Sequence, residues 1–398
     1  MQNKTLAQDV ALASWASEIQ PTTIQQILAV ATRPEITSFA LGLPSAKLFP
    51  TEAYAQASVE ALSTIPLALQ YGPPWQPLKR HIVQLMAQRG VSCREEQVFL
   101  TTGGAQQAMS LLSRLLLEPH GTVLLEETIY SGILQAVEPL QPHLLTVPTD
   151  ADSGIDVDAV ASAFAGPRPP AFLYVISDGH NPLGGSLSLE KRRQLTALAR
   201  HYGIPILEDD AYGFLGYEQE MLPPLKAFDD QWVFYIGSFS KILAPALRTG
   251  WIVLPEQLIP ALEFLKEGSD INTATLAQRT IAAYLDTGQL PTHLALLRHE
   301  YKTRRDAMLQ ALQTYFPPFA RWHIPHSGMF IWVEIPGCGD MNALLQMAIE
   351  KEHVAFLPGQ AFSVNGSLHA RHCMRLNFSC CSVEDIERGM ARLARLLA

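Results

Sequence analysis

With 398 residues, 48% of them hydrophobic, the chain exceeds the size at which one core usually keeps growing, and two domains are expected. A formal net charge of −9 without a long basic run argues against nucleic acid or an anionic membrane as the main partner. Cys93, Cys338, Cys373, Cys380 and Cys381 form no CxxC pair, which fits free thiols in a reducing compartment and gives no metal spacing. The N-terminus lacks a basic start followed by a continuous apolar stretch, and no run reaches membrane-span length, so a cytoplasmic location is expected.

In chain order, the first informative element is 98–107, VFLTTGGAQQ. A short apolar strand runs into Gly103-Gly104, after which Ala105, Ala108, Met109, Leu112, Leu115 and Leu116 recur at helical spacing. Strand, glycine turn and helix form a ready anion site, because bare amides and the helix dipole point at the same place. The spacing is neither GxGxxG nor GK[ST], so neither a dinucleotide fingerprint nor a P-loop is present. Apolar strands are predicted at 122–126, 171–177, 204–208, 232–236 and 250–254, alternating with helical stretches such as 189–202. That alternation predicts a mainly parallel sheet with helices on its faces.

The third strand of that series, 204–208, runs into Glu208-Asp209-Asp210, followed by Ala211-Tyr212. Adjacent acids at the end of an apolar strand are costly to bury unless something positive meets them. A protonated pyridine nitrogen would serve; a metal or a helix start are the plainer alternatives. Next comes Ser238-Phe239-Ser240-Lys241, with Arg248 seven residues on, in the loop between two predicted strands. A lysine there can form a Schiff base with a carbonyl compound if neighbouring cations or desolvation loosen its proton. Arg248 is such a cation, and its planar fork suits a phosphate. Leu294, Leu297, Tyr301, Met308, Leu312 and Tyr315 mark a long amphipathic helix that stops at Pro317-Pro318, a natural hinge into a smaller domain. That domain is expected to contain strands at 328–335 and 374–378, joined by the N-terminal arm folding back.

These parts, in this order from Gly42-Leu43-Pro44-Ser45 to the C-terminus, resemble the pyridoxal 5′-phosphate (PLP) enzymes of fold type I in the class I/II aminotransferase superfamily. The branch that the chain most resembles contains aminoadipate and kynurenine aminotransferases and the catalytic-like domains of MocR regulators. The resemblance implies an α/β fold: a mainly parallel seven-stranded sheet in a large PLP-binding domain at 46–290, a smaller α+β domain at 291–398, and an N-terminal arm at 1–45 packing with it.

Carried over residue by residue, the resemblance makes Lys241 the Schiff-base lysine and proton shuttle, with Asp209 opposite the pyridine nitrogen. Tyr212 and Asn181 would hydrogen-bond the phenolic oxygen, and Tyr130 would stack on the ring. Ala105, Gln106, Ser238 and Arg248 would hold the phosphate. Tyr71 matches a tyrosine that reaches the phosphate of the neighbouring subunit, which implies a homodimer with shared active sites. Arg375 would fork onto the substrate α-carboxylate, with Gly42, Asn181 and His180 completing the substrate site.

The chain departs from the family pattern at His180 and Leu183 beside Asn181, at Ala105 where serine is common, and in lacking a proline before Tyr130. His180 is either an extra acid/base near the ring or simply hydrogen-bonded. An aminotransferase passing the amino group of an L-amino acid to a 2-oxo acid is the leading reading. The alternative is a cyclase or eliminase resembling capreomycidine synthase, with His180, Asp178 and Glu18 as groups for a guanidino side chain. A MocR-type regulator is disfavoured because the resemblance begins by Gly42, leaving no room for a winged-helix domain ahead of it.

Overall fold

The structure is a computed structural model that describes residues 11–17, 27–28, 30–31, 33–64, 66–217 and 221–397. Seven strands form the main sheet: β1 (Val98–Thr101), β2 (Thr122–Glu126), β3 (His143–Val147), β4 (Leu173–Val175), β5 (Ile206–Asp209), β6 (Val233–Ser238) and β7 (Gly250–Val253). Their spatial order is β1-β7-β6-β5-β4-β2-β3. All neighbours run parallel except β7, which is antiparallel to both β1 and β6. The two reversals bring β1 back parallel with the rest. The C-terminal ends of β1, β5 and β6 and the start of β7 therefore share one edge, where Gly250 pairs with both Thr101 and Ser238. Open parallel sheets place ligands at that edge.

The central strands are buried along their whole length, which is why 204–208 and 232–236 read as unbroken apolar runs rather than alternating ones. Edge strand β3 is half exposed and alternates, and the predicted set did not include it. The helix Leu189–Tyr202 begins where Ser188 accepts a hydrogen bond from the Lys191 amide and ends at Gly203 in the left-handed region.

A helix of 26 residues, Leu290–Tyr315, leads to a four-stranded antiparallel sheet of β8 (Arg321–Trp322), β9 (Phe330–Glu334), β10 (Leu357–Pro358) and β11 (Cys373–Asn377), ordered β8-β9-β11-β10. Thr37–Ser38 pairs in parallel with Val354–Ala355, and the Asn377 amide donates to the Phe39 carbonyl. Phe39 is fully buried beside this sheet, a burial that stabilises by about 1.5–3 kcal/mol. The anchored arm then delivers residues 40–45 to the edge where the main-sheet strands end.

A buried charge network fixes the loops behind that edge. Asp178 accepts from Arg192 at 2.6 Å and from Arg89 at 2.8 Å, and Arg89 also reaches Asp210 at 3.1 Å. Burial alone would raise the Asp178 carboxyl, but the two guanidinium groups outweigh it and hold it low. Next to it, Gly179 has φ +55° and abuts Gly328 so closely that a Cβ would stand 2.6 Å from the Gly328 Cα. Only glycine permits that approach between the two sheets' loops. Removing Arg89 leaves buried Asp210 without its bonded cation and Asp178 with Arg192 alone, so Arg89→Ala is expected to cost about 3 kcal/mol. A lower urea midpoint at unchanged slope would show this, whereas an unmoved midpoint would contradict it.

Candidate active site

Lys241 sits three residues beyond β6, and its ammonium donates to the Gly42 carbonyl at 2.6 Å. The arm thus supplies the atom that orients the lysine. Its pKa is lowered to about 8, first by the dehydrating walls of the cleft and then by Arg375 and Arg248, with Asp209 pulling the other way.

The three acids at the end of β5 have separate fates. Glu208 accepts from Ser177 Oγ and from the amides of Leu225 and Lys226, so it pins a neighbouring loop. Asp210 accepts from the Tyr235 hydroxyl at 2.9 Å and joins the Arg89 network. Asp209 alone faces the cleft. Its Oδ2 accepts from the Tyr174 hydroxyl at 2.7 Å, while its Oδ1 is buried with no hydrogen-bond partner. Burial pushes its pKa up to about 6, although the Tyr174 bond opposes the shift.

At the far end of the cleft the helix Ala105–Leu116 begins after Gly104, whose φ is +64°. The first amides of a helix have no partner within it. A Cβ on Gly104 would lie 3.4 Å from Ser238 Oγ, 3.6 Å from Ser240 Oγ and 3.7 Å from Arg248 Nη2, so these donors converge on one small cup. Ser238 and Ser240 are bonded to each other at 3.0 Å, and Arg248 holds the Gly103 carbonyl. The Gln106 side chain turns aside to the Gly132 carbonyl, leaving its backbone for the cup.

Arg375, in the middle of β11, is 3% exposed and lies between the rings of Phe330 and Phe362, at 4.3 and 4.7 Å. One nitrogen donates to Asn181 Oδ1 at 2.7 Å, another to the Ala40 carbonyl, and Nε has no partner. With no carboxylate bonded to it, burial lowers its pKa to about 10. Tyr212 stands edge-on to Phe330 at 5.7 Å, and burial raises its phenol well above the ordinary value.

One cleft of about 380 Å³ is thus lined by Lys241, Asp209, Tyr212, Asn181, Tyr130, Ala105, Gln106, Ser238, Arg248, Arg375 and Gly42. Tyr71 is not in it: the side chain is 72% exposed on the surface of its own chain. His180 is also turned away. Its Nδ1 accepts from the Leu183 amide at 3.4 Å, so Nε2 donates to Glu126 at 3.0 Å behind the cleft, which is the plainer of the two expectations. Asp178 is consumed by Arg89 and Arg192 and cannot serve a substrate cation, and Glu18 lies outside the described residues.

Sequence reasoning missed Tyr174, Ser240 and the two phenylalanines around Arg375. Ser240 was detectable, since it stands two residues from Ser238 in a motif already singled out, whereas nothing in the sequence aims the Tyr174 hydroxyl at Asp209.

PLP fits these donors: a phosphate would sit in the Gly104 cup, and a protonated pyridine nitrogen would satisfy the orphaned Asp209 Oδ1. Among the described residues no cluster of three metal-ligating side chains competes with this reading of the acids. In the ligand-free protein, reductive methylation of Lys241 followed by peptide mass spectrometry is expected to show a midpoint near pH 8, below the ordinary lysine value of 10.5. The direction follows from the sign of the shift: a depressed pKa leaves more neutral amine at a given pH. A midpoint at 10 or above would contradict the site electrostatics described.

Comparison with known proteins gives the same answer. Residues 38–393 match the family described as aminotransferase class I and II. The chain is 34% identical to aromatic-amino-acid aminotransferase 1 of Thermococcus litoralis, over 97% of this chain and 93% of that protein. The crystal structure of a multiple substrate aminotransferase from Thermococcus profundus superposes with a TM-score of 0.90 at 34% identity, covering 97% of each chain. The α-aminoadipate aminotransferase LysN of Thermus thermophilus, solved with N-(5′-phosphopyridoxyl)-L-leucine, gives a TM-score of 0.89 at 34% identity over 97% of each chain. Sequence, fold and donor set agree, and the chain belongs to the aminotransferase class I and II family as a PLP-dependent aminotransferase.

Proposed function

We propose that this chain runs transamination of an L-amino acid with Lys241 as the proton-transferring base, Arg375 as the carboxylate anchor and Asp209 as the counter-charge to the cofactor ring. The observation that carries the reading is Arg375: a buried guanidinium with no carboxylate bonded to it and an unpaired Nε, opening onto the same cleft as Lys241 and Asp209. Such a group is costly unless an anion arrives, and an α-carboxylate matches its planar fork.

The cofactor, when bound, supplies an aldehyde carbon and a conjugated ring that accepts electrons from the α-carbon. Asp209 would keep the ring nitrogen protonated through its free oxygen. Tyr212 and Asn181 would donate to the phenolic oxygen, and Tyr130 would flank the ring. The helix start at Ala105 and Gln106, with Ser238 and Arg248, would hold the phosphate. Gly42 and Asn181 position the substrate around Arg375. Held there, the substrate would present its α-hydrogen to Lys241 Nζ, whose lowered pKa suits accepting and releasing a proton near neutral pH.

The division into an arm at 1–45, a large domain at 46–290 and a small domain at 291–398 belongs to the same reading, supported by the two separate sheets on either side of Leu290–Tyr315. So does a homodimer in which Tyr71 reaches the partner's phosphate cup, supported by the exposure of that ring. The free cysteines fit a cytoplasmic location, and among the described residues no helix is long and apolar enough to cross a membrane.

The test is to mix holoenzyme with single L-amino acids in the absence of any 2-oxo acid. One equivalent each of pyridoxamine phosphate and 2-oxo acid is expected. Many turnovers with the cofactor left as PLP would contradict the proposal and favour elimination or cyclisation. In the same assay Lys241→Ala should slow the single turnover by about 10²–10⁴-fold. Arg375→Leu should lower kcat/KM about a hundredfold or more, which the substrate concentration dependence measures.

A further inference from the structure

Among the described residues, four charged side chains line the cleft: Asp209, Lys241, Arg248 and Arg375. Each has a task at the reacting end: Asp209 at the ring nitrogen, Lys241 at the α-carbon, Arg248 at the phosphate and Arg375 at the α-carboxylate. Beside Asn181 and the two tyrosines, Tyr130 and Tyr212, the cleft also has a leucine wall. Leu41 and Leu43 flank Gly42, whose carbonyl holds Lys241, and Leu357 stands opposite Arg375 in the pairing of β10 with β11. Leu28 also lines the cleft, and both Leu28 and Leu43 keep nearly half their surface exposed, at 49% and 44%. The arm that carries Leu28 has no lysine or arginine anywhere between Lys4 and Arg33.

We propose, resting on the aminotransferase reading, that this leucine wall receives the substrate side chain and makes the enzyme selective for L-amino acids with large apolar or aromatic side chains over those with a second carboxylate. A substrate fixed by its α-carboxylate on Arg375 and its α-carbon at Lys241 projects its side chain toward Leu28, Leu41 and Leu43. An apolar side chain there removes exposed hydrocarbon from water. A distal carboxylate would lose water against leucine, with no lysine or arginine among the described lining residues beyond those already given a task, and burying an unpaired charge is strongly disfavoured.

The experiment compares holoenzyme with L-leucine, L-phenylalanine, L-glutamate and L-2-aminoadipate, each without an acceptor, following cofactor conversion by absorbance. In parallel, the unreactive acids 4-methylvalerate and glutarate are titrated by calorimetry. Leucine and phenylalanine are expected to exceed the two dicarboxylic substrates by about tenfold or more in kcat/KM, and 4-methylvalerate should bind more tightly than glutarate. Leu43→Arg, at a half-exposed position, should raise the reaction with glutamate and lower that with leucine. Equal or faster reaction of glutamate or aminoadipate with the wild-type enzyme overturns the proposal while leaving transamination intact. Conversion by none of the four substrates would instead count against the aminotransferase reading, and the calorimetric comparison would still decide what the wall prefers.

Discussion

Charge buried without an internal counter-charge is the constraint around which the molecule is arranged. Asp209 has a carboxylate oxygen with no partner, Arg375 has a guanidinium nitrogen with none, and Lys241 rests only on a backbone carbonyl. Each ion held this way costs the folded chain several kcal/mol. The cost falls when a cationic ring nitrogen, a carboxylate or a carbonyl carbon occupies the place each group faces. The displaced pKa values, about 6 for Asp209 and about 8 for Lys241, are the trace of that unfinished electrostatics. A ligand that completes it stabilises the folded state by mass action as well as reacting there.

Holding such groups in place requires a frame that does not relax. The parallel strands supply it by bringing the ends of β1, β5 and β6 to one edge, so that Asp209 and Ser238 are fixed by ladders, while Gly104 follows three residues after Thr101 with its amide donating to the Arg248 carbonyl. The arm crosses to the small sheet, is locked by Phe39 and the Asn377 amide, and returns with Gly42 beneath Lys241. On the other side, Asp178 with Arg89 and Arg192 braces the turn that carries Asn181, and Asn181 in turn holds Arg375. In that network the ions are paired with one another, away from the cleft. Paired charge positions the site, and charge without a bonded counter-ion reacts in it.

Much of this was legible in the sequence where one local rule dominates. Buried parallel strands read as continuous apolar runs, and the helical stretch expected at 189–202 is a helix over Leu189–Tyr202. Strand β3 escaped notice because an edge strand alternates weakly and lacks the apolar run of its neighbours. Most residues that line the cleft were singled out in the sequence because motif order and spacing carry them. The direction of a side chain was not. His180 follows the chain reversal of its own loop back toward Glu126, and Tyr174 reaches Asp209 across a strand pairing that only the assembled sheet creates. Asp178 looked available to a substrate because its two arginines lie 89 and 14 residues away in sequence.

The central claim is that the free oxygen of Asp209 holds a proton on the cofactor ring. Nuclear magnetic resonance of holoenzyme reconstituted with ring-¹⁵N PLP tests it directly, in the wild type and in Asp209→Asn. The account predicts the chemical shift of a protonated pyridinium in the wild type at pH 8 and of an unprotonated nitrogen in the variant. The same shift in both proteins, or an unprotonated nitrogen in the wild type, would contradict it.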